Sequence, residues 1–244
     1  MRHPDLFSGR RINPLSPEKR EIPVTEDTIQ TTELLERRWL SEKAFEIKLS
    51  RPSTFVFTAG QTIRFVYNGY ERYYSFISGP DDPTLSLCVR FVEKGTFSVV
   101  LATAEPGTQF QVTGPHGYFT YKPSSRPAMF VATGTGIAPF VSIAGSGVGG
   151  FTLLHGVSYI EDLYYRDQFR SISAKYAPCV SNTPAKDLQP HGFFHGKVTD
   201  WIARNLAPAQ YDFYLCGRQE MVRDVTHLVD EHFPGSFIYT EVFF

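Results

Sequence analysis

"AMFVATGTGIAPFVSIAGSGVGGFTLLHGV", residues 128–157, contains no Asp, Glu, Lys or Arg. A run of that length could cross a bilayer. Its glycines, Pro139 and scattered Ser and Thr argue for something else: a short apolar strand (128–133), a "GTG" turn, a helix beginning in "IAPFVSIA", and a second buried strand in "GFTLLHGV". Strands covered on both faces read as unbroken apolar runs, as in a parallel sheet clothed by helices. The alternation continues downstream. "EDLYYRDQFRSISA" reads as a helix, "APCVS" as a third strand, and "GKVTDWIARNL" as a helix capped near Thr199. "YDFYLCG" is a fourth strand. "QEMVRDVTHLVDEHF" sets Met221, Val222, Val225, Leu228 and Val229 on one helical face, and "SFIYTEVFF" closes the chain as a strand. This half is therefore expected to be a doubly wound α/β domain with a parallel sheet.

Upstream of "KPSSRP" (122–127), which reads as a linker, the signals are those of strands. "TLSLCVRFV" (84–92) alternates Leu85, Leu87, Val89 and Phe91 with Ser86, Cys88 and Arg90. Further strands are expected at 30–39, 44–50, 61–67, 72–78 and 108–113, with turns in "EPGTQ" and "TGPHGY". Six strands with few helices predict a small closed antiparallel β-barrel. Residues 1–24 are polar, basic and proline-bearing, and read as a tail or strap. The expected division is 1–24 tail, 25–122 barrel, 123–244 α/β domain.

The 244 residues are 42% apolar and 20% charged, with a net charge of −1. That balance gives no global field for nucleic acid or an anionic membrane. The three cysteines, Cys88, Cys179 and Cys216, are far apart with no CxxC pair. Zinc sites and iron–sulfur clusters need grouped thiolates, so no metal is expected. The sparse count fits a reducing compartment, and a cytoplasmic location is expected.

Five motifs carry chemistry. In "RYYSFIS" (72–78), Arg72 offers a fork of donors for a phosphate, Tyr74 an aromatic face and Ser75 a small donor. In "KGTFSVVL" (94–101), a glycine turns into a short helix whose backbone N–H groups, with the Ser98 hydroxyl, form an anion nest. "ATGTGIAPF" (132–140) follows a strand, so its glycines admit close backbone approach and the helix offers its positive end to a pyrophosphate. Pro139 departs from the full G-x-G-x-x-G pattern. "YLCGRQEMV" (214–222) places Cys216 at a strand end, and "TEVFF" puts a carboxylate beside two terminal aromatics.

In this order, R-x-Y-S, G-x-x-S, G-T-G-I-A-P, C-G-x-x-x-M and a terminal E-x-aromatic resemble the ferredoxin–NADP reductase superfamily over about residues 27–244. "FTAGQ" and "LSLCVR" also look like that family's barrel. The resemblance implies an FAD-binding barrel joined to a nicotinamide-nucleotide domain. It implies that Arg72, Tyr74 and Ser75 hold the flavin, with Cys88, Val89 and Arg90 among the cofactor contacts, and that Gly95, Thr96, Phe97 and Ser98 take the pyrophosphate. Thr133, Gly134, Thr135 and Gly136 would meet the nicotinamide nucleotide, with Ser158, Ser181, Gly217, Arg218 and Met221 as further contacts. Ser75, Cys216 and Glu241 would surround the site of hydride transfer, with Phe243 against the flavin and Phe244 beyond it.

Relatives that use the 2′-phosphorylated nucleotide often carry Ser-Arg after the third strand of this domain. Here the pair is Ser181-Asn182, and the position after "HGV" is Ser158. Both point to NADH over NADPH, with Arg166 and Arg170 as alternative cations. The expected function is a reductase that takes hydride from NADH or NADPH onto FAD and passes electrons to a separate ferredoxin or oxygenase iron–sulfur protein. A flavin or quinone reductase with a small acceptor is the second reading. A non-catalytic electron relay is the third, and the intact "GTGIAP" and "CGRQEM" argue against it.

Overall fold

The computed structural model describes residues 28–243, so the expected tail at 1–24 and Phe244 lie outside the described residues. The first half is an antiparallel sheet of β1 (Gln30–Ser41), β2 (Ala44–Ser50), β3 (Thr62–Tyr67), β4 (Tyr70–Ser75), β5 (Thr84–Arg90) and β6 (Gln109–His116). Its order is β4-β3-β6-β1-β2-β5, and a bridge between Phe76 and Leu87 closes the barrel. The alternation in the sequence sets the burial: Leu85, Leu87 and Val89 of β5 point inward with no exposure, beside Phe45, Ile47, Phe65 and Val112. One helix, α1 (Phe97–Thr103), adds Phe97 and Leu101 to that core.

The second half is a wholly parallel sheet. It comprises β7 (Ala128–Thr133), β8 (Thr152–Val157), β9 (Lys175–Val180), β10 (Phe194–His195), β11 (Asp212–Arg218) and β12 (Phe237–Phe243). Between them run α2 (Ala138–Gly145), α3 (Arg166–Ile172), α4 (Ala185–Leu188), α5 (Val198–Asn205) and α6 (Gln219–His232). The order β10-β9-β8-β7-β11-β12 means the chain winds one way from β7, then crosses back to place β11 on β7's other side. The crevice beyond the carboxyl ends of β7 and β11 is therefore the switch point, where open α/β sheets take ligands. Among the described residues no helix is long and apolar enough to cross a membrane.

Three local expectations are corrected. The helix expected over 161–174 is broken: a 3₁₀ turn at Ile160–Asp162 precedes α3, because Tyr165 sits at φ 60°, a left-handed conformation that no helix continues through. Thr199 does not cap α5. Lys197 is the cap residue, and the Asp200 carboxylate accepts its backbone N–H at 3.0 Å. The segment between β9 and α5 also holds α4 and the two-residue β10, which the sequence pattern did not show.

The two halves share packing. One cluster joins Ala44, Ala59 and Phe119 of the barrel side to Phe130, Phe140, Ile143, Phe151, Tyr164 and Tyr214 of the α/β side. Polar ties reinforce it: the buried Ser142 hydroxyl donates to the Ser78 carbonyl at 2.7 Å, and Lys43 pairs with Asp162 at 3.0 Å. The linker is anchored too, since the Lys122 N–H donates to the Tyr214 hydroxyl at 3.0 Å.

Candidate active site

Two backbone turns meet at the switch point. β7 ends at Thr133, and a 3₁₀ turn, Gly134–Ile137, leads into α2 with Pro139 in its first turn. Beside it, β11 passes through Cys216 and Gly217. A Cβ on Gly136 would overlap the Cys216 carbonyl, and one on Gly217, at φ 141°, would overlap the Thr133 side chain. Only glycines allow this approach. The Arg218 N–H donates to Thr133 Oγ1 at 3.0 Å, which stitches the turns together. Gly134, at φ 54°, is different: nothing lies within 4 Å of a Cβ built there, so open space faces it.

On the same sheet edge, Cys216 registers with Glu241 and Arg218 with Phe243. Cys216 is fully buried, and burial first, then the charge of Glu241, raises its thiol well above the ordinary value. It is a neutral, compact wall. Half-buried Glu241 also has its carboxyl pKa raised by desolvation. Phe243 is half-buried against the cluster that contains Cys216. Met221 is buried in the core between α6 and the sheet, apart from this group.

The barrel contributes the other wall. Gly117, after β6, lacks a side chain where Thr62 Oγ1 and Glu241 Oε2 converge: a Cβ there would lie 3.8 and 3.9 Å from them. Thr62 registers with Ser75 across β3 and β4. Ser75 is 2% exposed, and among the described residues its buried hydroxyl oxygen has no hydrogen-bond partner. Such a group costs free energy unless something completes it. Tyr74 is half-buried edge-on to Phe65, and burial raises its hydroxyl pKa. Arg72 is exposed, donating to the Glu71 carbonyl at 2.7 Å.

The nest around α1 is built differently from the expectation. Ser98 Oγ accepts from the Val92 N–H and donates to the Val92 carbonyl, each at 3.2 Å, so its proton is spent locking the turn. Gly95 is required there, since a Cβ would crowd Ser98 Oγ and the Val92 carbonyl at 2.9 Å. Phe97 lies in the barrel core, and Thr96 caps α1 with no side-chain hydrogen bond. What this turn can offer an anion is backbone N–H, not the serine hydroxyl. On β5, Val89 is core, Arg90 is exposed, and the Cys88 thiol lies against the Tyr165 hydroxyl with burial pushing its pKa up to about 12. Neither the Cys88 nor the Val89 side chain joins the crevice.

The far end of the crevice gathers Ser158, Ser181 and Asn182 beyond β8 and β9. The Asn182 N–H donates to the Ser158 carbonyl at 2.9 Å, and the Ser181 N–H to Val157 at 3.1 Å. Arg166 and Arg170 approach Asp167 at 3.4 and 3.9 Å. Sequence reasoning missed Thr62 and Gly117 as site residues, although "GPHGY" marked the turn that holds Gly117.

These residues fit a flavin and a dinucleotide. An orphaned hydroxyl lies at one wall, an open glycine cradle at the other, and uncapped backbone donors at α1. Residues 32–121 match the model of an oxidoreductase FAD-binding domain, and residues 130–227 that of an oxidoreductase NAD-binding domain. Ferredoxin–NADP reductase B of Sorangium cellulosum is 32% identical over 194 residues, covering 71% of this chain and 79% of that protein. The toluate 1,2-dioxygenase electron transfer component of Pseudomonas putida is 30% identical over 83% of this chain, which spans 64% of that relative's length. A ferredoxin NADP+ reductase from Neisseria gonorrhoeae, solved with FAD and NADP, superposes with a TM-score of 0.78 at 23% identity, over 88% of this chain and 99% of its own. The chain is an FAD-containing, NAD(P)H-dependent reductase and belongs to the ferredoxin–NADP reductase superfamily.

Proposed function

We propose that NADH is the preferred hydride donor and that the electrons leave to a separate redox protein, a ferredoxin or the iron–sulfur component of an oxygenase. The reading starts from a flavin at this wall, supported by the buried Ser75 hydroxyl, whose missing partner a ring nitrogen would supply. FAD, when bound, supplies the two-electron to one-electron conversion. Ser75 gives a hydrogen bond at the reacting edge. Cys216, held neutral, fills the floor without competing as a base. Glu241, its pKa raised, keeps a proton closer to neutral pH than an exposed carboxyl would. The Gly134 turn and the first turn of α1 present N–H groups to the two pyrophosphates, and Arg72 adds an exposed cation. Asn182, an uncharged residue where a cation would read a 2′-phosphate, supports the choice of NADH.

Relatives named as dioxygenase electron transfer components support the acceptor class. Anaerobic reduction of the FAD-loaded protein by NADH and NADPH, followed by candidate acceptors, tests the reading. A charged partner missing from the 2′-phosphate is worth about 1.5–3 kcal/mol, so NADH should lead in kcat/KM by about tenfold to a hundredfold. Equal or reversed rates would assign the phosphate to another cation, Arg170 first. Full turnover with free flavin or quinone, and none with an iron–sulfur protein, would establish the small-acceptor activity instead. A flavin that stays oxidised would make the chain a relay.

A further inference from the structure

We propose that His155 is a positioning residue for the nucleotide-binding turn: its ring N–H holds the Gly134 carbonyl inward and so aims the Thr135 N–H into the crevice. His155 lies on β8 in register with Ala132 of β7 and has no exposed surface. Its Nε2 is 3.0 Å from the Gly134 carbonyl oxygen, and its Nδ1 is 3.4 Å from the Tyr176 hydroxyl. A carbonyl only accepts, so Nε2 carries the proton. Nδ1 is then the acceptor, and the Tyr176 hydroxyl donates to it. Burial holds the ring neutral, with its pKa down to about 4, against the opposing pulls of Gly134 and Asp162. One tautomer is thereby fixed, with one donor and one target.

The target matters because the peptide unit is planar and trans. Its C=O and the N–H that follows point opposite ways. Holding the Gly134 oxygen toward the sheet turns the Thr135 N–H outward. Gly134 sits at φ 54° with nothing crowding it, so its own torsions do little to resist tilting of this peptide. A full reversal is barred by Thr135, a β-branched residue that would have to take positive φ, and by the 3₁₀ turn over Gly134–Ile137. The tilt within that turn is what a side-chain anchor sets, and the neighbouring stitch acts elsewhere, since Thr133 Oγ1 is engaged by the Arg218 N–H one peptide earlier. His155 sets the angle at which the Thr135 N–H meets the ligand.

The role rests on the reading of this crevice as the dinucleotide site, and it is tested by binding rather than turnover. Titration calorimetry on the FAD-loaded protein would use two probes. ADP-ribose carries the pyrophosphate, and 5′-AMP lacks its distal half. His155→Leu should weaken ADP-ribose about tenfold, leave 5′-AMP within about twofold, and retain FAD. His155→Gln, whose amide N–H can replace Nε2–H, should restore ADP-ribose binding to within about threefold of the parent. Should His155→Leu fail to fold, His155→Asn, too short to reach Gly134, replaces it as the loss variant. Parental ADP-ribose affinity in the loss variant overturns the role, as does equal weakening of both probes. A parent chain that binds neither probe overturns the crevice reading along with it.

Discussion

Replacing Ser75 by alanine should move stability and rate in opposite directions. The Ser75 hydroxyl is buried with no partner among the described residues. An unsatisfied buried donor carries a desolvation cost of about 1–3 kcal/mol. Alanine removes the oxygen and keeps the Cβ, so the flavin-free variant should gain about 1 kcal/mol, or about 2–4 °C in Tm for a chain of this size. With FAD bound the ledger reverses. Loss of one aimed donor costs about 10²-fold in rate, close to 2.7 kcal/mol of barrier. Thermal melts of the flavin-free and loaded proteins give the first quantity. Stopped-flow bleaching of the flavin by NADH gives the second. A flavin-free variant that melts below the parent would show that the hydroxyl already has a partner, and parental bleaching would show that Ser75 is not the donor at the reacting edge.

Three further outcomes are expected. Because burial raises the Glu241 pKa above its ordinary 4.5, the folded chain holds that proton more tightly than the unfolded one; stability should fall as pH rises from 4.5 through the raised value. Glu241→Gln should flatten that segment of a urea-midpoint profile, and an unchanged slope would remove Glu241 as its source. Gly136→Ala drives a methyl into the Cys216 carbonyl and should abolish nucleotide binding while leaving the barrel's FAD in place; retained NADH affinity would mean that the two turns can part freely. Deleting Phe243 and Phe244 should loosen FAD and tighten nicotinamide binding by about 0.5–1.5 kcal/mol if a terminal ring competes for the flavin face. A lower Tm with unchanged spectrum and affinity would make Phe243 only a packing residue of β12.

What could be read from the chain was periodic or spelled out locally. The two-residue alternation of β5 and the strand–helix rhythm after residue 127 give the two sheets, because burial enforces those periods. "GTG" and "CG" mark the turns that touch, because only glycine tolerates such contact. Properties set by partners distant in sequence were not legible. The tyrosine at φ 60° just before α3 packs toward Glu46 and Cys88 of the barrel, and nothing in "EDLYYRDQF" announces the break. Ser98 looked like a free donor because the sequence does not show the Val92 backbone folding back on it. Likewise, alternation puts Cys88 on the face of β5 opposite Leu87 and Val89, but its burial beside Tyr165 depends on how the other half packs there.

The aromatic cluster common to both halves has a bearing on how such reductases can be recombined. Phe119 packs edge-on to Phe140 and Tyr214 at 5.7 and 6.1 Å, so rings encoded on either side of the linker interdigitate. A barrel transplanted onto the nucleotide domain of a distant cousin would bring ring shapes cut for a different counterpart, and closely fitted interiors tolerate such mismatches poorly. The heritable unit is thus the matched pair. Changing which nucleotide or acceptor the protein serves is better approached by editing residues at the crevice rim than by exchanging whole halves.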